Sequence, residues 1–86
     1  MDLVYKNTTR TIQIFKDKKG HYFLMSYSSW IAKWDGKKYT FTHKWDYSPT
    51  TRHHLGYFMK HYGAGAHQGV TTQEIVDQSK IVDNLF

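Results

Sequence analysis

Eighty-six residues with twelve Lys or Arg against seven Asp or Glu, a formal net charge of +5, set the limits before any motif is sought. A chain of this length holds one domain, whose single core buries about 60 to 65% of the surface the unfolded chain exposes. A composition 40% hydrophobic and 17% aromatic excludes intrinsic disorder, the absence of cysteine excludes disulfides, thiolate metal sites and thiol nucleophiles, and the basic balance disfavours a mimic of DNA.

The start, Met1-Asp2-Leu3-Val4-Tyr5-Lys6, has no charged leader ahead of an apolar run, and no apolar segment of about 20 residues is present to span a bilayer. The expectation is a soluble cytoplasmic chain without membrane contact. Residues 2–7 read as a short edge strand or an unstructured start. Arg10 to Lys16 alternates as a strand does, Asp17-Lys18-Lys19-Gly20 supplies a hairpin turn with glycine at positive φ, and His21 to Tyr27 is the return strand. That strand is apolar on both faces, which suits a central position covered twice, or covered once by a helix and once by another chain.

A second hairpin follows, in which Trp30-Ile31-Ala32-Lys33-Trp34 and Lys37 to Trp45 flank Asp35-Gly36, the strongest short hairpin signal. A two-residue turn there sets Ala32 opposite Tyr39 and Trp30 opposite Phe41. The expected core face is Trp30, Ala32, Trp34, Tyr39, Phe41 and His43, with Ile31, Lys33, Lys38, Thr40, Thr42 and Lys44 toward solvent. Lys33 and Lys38 then oppose each other directly, a like-charge pair tolerated where it faces water or an anion.

Ser48 suits an N-cap, Pro49 the first helical position and Gly63 a left-handed stop, which bounds a helix over residues 49–62. Thr51, Leu55, Phe58, Met59 and Tyr62 form its apolar stripe, and Arg52, His53, Lys60 and His61 occupy the opposite side without any acid. At the start of this helix, Thr50, Thr51 and Arg52 converge on free backbone N–H groups, an arrangement that suits a phosphate or carboxylate. The candidate partner- or anion-binding residues are therefore Lys33, Lys38, Lys44, Thr50, Thr51, Arg52, His53 and Lys60.

The glycine-rich run Gly63-Ala64-Gly65-Ala66-His67-Gln68-Gly69 reads as a linker over residues 63–70 between a core domain of residues 1–62 and a C-terminal helical segment of residues 71–86. Thr71 or Thr72 caps that helix, Glu74 completes a capping box, and the helix runs to about residue 82. Its apolar side packs on its own sheet, swaps onto a second copy to make a homodimer, or waits for a partner. Charge divides near the same point: residues 1–68 hold eleven Lys or Arg against four acids, whereas residues 69–86 hold Lys80 against Glu74, Asp77 and Asp83. The basic part suits nucleic acid, nucleotides or an acidic protein. The fold class expected is α+β, an antiparallel sheet of about four strands in two hairpins, packed by one amphipathic helix and followed by a short C-terminal helix.

No constellation for chemistry emerges. His53, His54 and His61 lack the spacing of about three or four residues that metal-binding histidines on a helix need, and no carboxylate pair or nucleophile elbow is present. No catalytic residue, metal or cofactor is expected. Lys33-Trp34, Lys37-Lys38-Tyr39 and Lys44-Trp45 interleave cations with aromatics as single-strand nucleic-acid binders do, although the alternation turns the indoles inward.

The stretches Ser26-Tyr27-Ser28-Ser29-Trp30-Ile31-Ala32-Lys33-Trp34-Asp35-Gly36 and Trp45-Asp46-Tyr47-Ser48-Pro49-Thr50-Thr51-Arg52-His53 resemble a family of small phage-encoded accessory proteins of uncharacterised function. In that family a Tyr-Ser turn, a strand, Asp-Gly, a strand and then Tyr-Ser-x-Thr-Thr-x-x-His recur ahead of a short helix, and the resemblance covers roughly residues 21–62. It implies a phage origin and the host cytoplasm, and no catalytic residues. Small accessory phage proteins often act by occupying a host protein, defence nucleases included, or by sequestering nucleotide signals. Two expectations follow: a non-enzymatic inhibitor of a host defence or regulatory protein, acting through a basic, aromatic surface, and, as its alternative, a nucleic-acid-binding accessory protein. A nucleotide-sequestering oligomer ranks below both.

Overall fold

In the computed structural model, which describes residues 1–9, 11–63 and 72–86, both hairpins form and become four consecutive strands of a larger sheet. The strands are β1 (Asp2–Lys6), β2 (Ile12–Lys16), β3 (Tyr22–Ser26), β4 (Ser29–Trp34), β5 (Tyr39–Thr42) and β6 (Lys80–Val82). Helix α1 spans Pro49–His61 and α2 spans Thr72–Asp77. The strands lie in sequence order, antiparallel throughout except for the parallel pair β5 and β6. A parallel neighbour needs a long crossover, and the chain from α1 to α2 provides it.

The fold is α+β, as the patterning indicates, with more strands than the two hairpins supply. The expected C-terminal helix to about residue 82 is corrected: α2 ends at Asp77, and Lys80, Ile81 and Val82 pair with Thr40, Phe41 and Thr42. Three residues carry too little periodicity to separate strand from helix. Residues 64–70 of the expected linker, and the Thr71 cap, lie outside the described residues.

Turn chemistry behaves as read at Gly20 and Gly36, both at positive φ, 86° and 95°. Register in the second hairpin differs. Trp34 pairs with Tyr39 and Ala32 with Phe41, so the turn is four residues long, with the Asp35 carboxylate taking the N–H groups of Lys37 and Lys38 at 2.9 Å each. A slip of two residues keeps every side chain on its face, so Ala32, Trp34, Tyr39 and Phe41 do share the helix side. Lys33, however, opposes Thr40 and not Lys38.

An irregularity beside Ile31 reverses the assignment of Trp30 and Ile31, while Lys33 and Thr40 stay away from the core as expected. Leu24 pairs with Ala32 but Met25 with Trp30, so one residue is bulged out of the ladder. A bulge inserts an extra residue and breaks strict alternation. Ile31, expected in solvent, is therefore 1% exposed in the helix-side core, while Trp30 turns to the other face of the sheet. Past the end of β5, His43, expected in the core, is exposed and pairs with Asp83 at 3.0 Å; Thr42, expected outside, is buried and donates to the carbonyl of Trp30 at 2.7 Å.

The main core lies between sheet and helices. Ile12, Ile14, Leu24, Ala32 and Phe41 pack under Leu55, Phe58 and Met59 of α1, and Val76 of α2 joins them. Burying such side chains stabilises the fold by roughly 1.5–3 kcal/mol each before conformational entropy is subtracted. Gly63 ends the helix differently from the expectation: its φ is not positive, and its missing Cβ makes room for the Tyr39 phenol, which any side chain there would overlap.

Candidate functional site

Two arrangements gather the polar and aromatic residues that the hydrophobic core does not use. The first joins the start of α1 to β3. Ser48 caps the helix by accepting the Thr51 N–H at 3.1 Å, and its hydroxyl donates to Thr51 Oγ1, also at 3.1 Å. Thr51 Oγ1 lies 3.3 Å from Ser26 Oγ, which lies 2.9 Å from His54 Nδ1. With its proton on Nε2, the imidazole leaves Nδ1 to accept the Ser26 hydroxyl. Ser26, Thr51 and His54 are buried, so this chain of hydroxyls satisfies groups that would otherwise be costly to desolvate.

Burial first, and the neighbouring His53 charge second, hold the His54 pKa below its ordinary value. Neutral His54 thus belongs to the folded state. Beside the chain opens a groove of about 530 Å³, lined by Ser28, Ser29, Ile31, Lys44, Tyr47 and Thr50 among others. Lys44 Nζ lies 3.4 Å from Ser29 Oγ at its rim. The structure thereby brings Lys44, Thr50 and Thr51 together, with Thr51 already engaged inside the protein, while Arg52 and His53 project from the exposed side of α1.

The second arrangement is the face of the sheet that the helices leave uncovered. Phe15 and Trp30 rings meet at 5.4 Å and Phe23 and Trp30 at 6.2 Å, both edge to face. Phe86 lies across them, stacked on Phe23 at 5.2 Å with planes 13° apart and edge-on to Trp30 at 5.2 Å. Phe23 is only 3% exposed, buried by this second cluster and not by the main core, whereas Phe86 is 65% exposed. The Lys33 ammonium stands 5.6 Å from the Phe23 ring centroid, a cation–π contact.

Beside these rings a depression of about 460 Å³ is bordered by Lys18, Lys19, His21 and Lys33. Asp17 also borders it, but its carboxylate is committed to the turn: Oδ1 takes the N–H groups of Lys19 and His21 at 2.9 Å each, and Oδ2 lies 3.4 Å from His21 Nδ1. Desolvation opposes its ionisation, yet those N–H groups and the nearby cations outweigh it and keep the carboxyl below its ordinary range. The result is aromatic and cationic, and its one side-chain carboxylate among the described residues is occupied.

The candidate residues do not form one surface. Lys33 lies on the open sheet face, Lys38 is exposed in the β4–β5 turn, Lys44 and Thr50 border the groove, and Arg52, His53 and Lys60 face outward from α1. Sequence reasoning missed Ser26 and His54, which the helical spacing of His54 with Thr51 and Phe58 signals, and the Phe15–Phe23–Trp30–Phe86 cluster, which only the bulge at Ile31 creates. No group of three or more His, Asp or Glu placed to hold a metal exists among the described residues.

Residues 3–78 match the family described as "Family of unknown function (DUF8033)". No curated protein and no solved structure matches the chain significantly.

Proposed function

The chain belongs to the family of unknown function DUF8033, and from that premise we propose that it is a phage accessory protein that binds a host defence or regulatory protein and blocks it. Binding, not catalysis, is the activity. The observation that carries this reading is the uncovered sheet face, where Phe15, Phe23, Trp30 and Phe86 form a ring cluster beside Lys18, Lys19 and Lys33. Aromatic rings make the anchors typical of protein interfaces, and the positive charge around them selects an acidic surface and speeds encounter with it. The phage setting and the host cytoplasm rest on the resemblance of residues 21–62.

A second reading draws on the same juxtaposition. Trp30 lies on the same face as Lys33, so a ring and an ammonium are displayed together, as single-stranded nucleic acid requires. Salt separates the two. Nucleic-acid affinity falls steeply with salt as condensed counterions are released, whereas a partly apolar protein interface loses far less. Tagged protein in nuclease-treated host lysate at 100 and 300 mM salt is expected to retain one host protein in a stoichiometric complex. Retention that vanishes on nuclease treatment, or nucleic acid bound instead, overturns the inhibitor reading.

A further inference from the structure

Resting on the binding role of the open sheet face, we infer that Phe86 is an internal stand-in for an aromatic side chain of the partner, and that the partner segment carries acidic residues on both sides of that ring. The chain's own tail shows which chemistry the socket accepts. Phe86 lays its ring flat on Phe23 and edge-on to Trp30, the offset and T-shaped geometries that aromatic pairs favour.

The tail is lightly held. Its ring remains 65% exposed, and the Phe86 N–H donates to the Asn84 side chain 3.1 Å away, a bond within the tail itself. The His43–Asp83 pair that tethers the segment to the sheet lies in solvent, both side chains being largely exposed. Beneath the ring, by contrast, Phe23 is 3% exposed and positioned by its strand. The socket is built, and its occupant is loose.

Charge defines what flanks the incoming ring. Lys18, Lys19 and Lys33 border the depression next to Phe86, and the only side-chain carboxylate among its lining residues, Asp17, is tied to the turn. Carboxylates on the partner would pair with these ammoniums, and lysines there would be repelled. While the tail occupies the socket, only the fraction of molecules with Phe86 displaced is competent, and affinity is reduced by that fraction.

The test uses the full chain and dye-labelled short peptides: one with a phenylalanine between acidic residues, one with that phenylalanine replaced by alanine, one with lysines in place of the acids, and a single-stranded oligonucleotide. Fluorescence anisotropy is expected to show binding of the acidic phenylalanine peptide alone. Phe86→Ala should tighten it about three- to tenfold, the equivalent of one aromatic pair removed from competition. Lys33→Glu should weaken it at least as much, and each variant is compared only after circular dichroism shows that it keeps the wild-type fold at the assay temperature.

Equal affinity for the alanine peptide, or unchanged or weaker binding by Phe86→Ala, overturns the inference. So does preference for the oligonucleotide in a manner that Lys33→Glu abolishes. If no peptide binds but the host protein is still captured from lysate, the stand-in role falls and the inhibitor reading stands.

Discussion

His54 is a residue whose chemistry the fold alters. Burial and the His53 charge lower its pKa from the ordinary 6.5, so as pH falls the unfolded chain takes up a proton before the folded one does. Its contribution to stability is therefore complete above about pH 6.5 and drains away as pH drops below that value toward the folded pKa. The melting temperature is expected to fall between pH 7 and pH 5, and His54→Asn, which keeps an acceptor near the Nδ1 position but cannot take a proton, should flatten that slope. An unchanged slope would place the titration elsewhere. Asp35, held below its ordinary 3.8 by the N–H groups of Lys38 and Lys37, acts in a separate and more acid window. Gly63 shows the limit of reading single residues: a glycine after a helix signals left-handed backbone, but here it is the Tyr39 phenol that needs the space.

Among the elements, α1 was the most legible because each of its signals is local. Ser48 caps, Pro49 follows, and Leu55, Phe58 and Met59 recur at helical spacing, so the span from sequence differs by one residue from Pro49–His61. The Ser48 hydroxyl has two tasks, accepting the Thr51 N–H and donating to its hydroxyl. Ser48→Ala is therefore expected to cost about 1–2 kcal/mol in denaturant unfolding. Thr50→Ala, exposed one position before the engaged threonine, should cost under about 0.5 kcal/mol. Equal losses would show that the cap holds nothing beyond an ordinary first turn. The β4–β5 hairpin was legible in its faces but not in its register, since a two-residue slip leaves the faces unchanged. The bulge at Ile31 was hidden: nothing in Trp30-Ile31-Ala32 marks which residue leaves the ladder. β6 was hidden for another reason, because its partner strand lies about forty residues earlier and pairing over that separation has no local sign.

At the scale of the molecule, one face of the sheet is covered by α1 and α2 and the other carries Phe15, Phe23, Trp30 and Lys33, with Phe86 lying across the rings. The sequence indicated the basic and aromatic character of the chain and misplaced its display, since alternation alone sends Trp30 inward. Of the cations it proposed, Lys33 lies on the open face, and Arg52 and Lys60 sit on the outer side of α1. That separation makes the central claim testable by paired charge reversal. The most direct measurement is the affinity of purified host target for Lys33→Glu and for Arg52→Glu, each first shown to melt like the wild type. The open-face account predicts that Lys33→Glu loses affinity at least about tenfold while Arg52→Glu stays within about twofold of wild type; loss confined to Arg52→Glu would contradict it and move the binding surface to the helix.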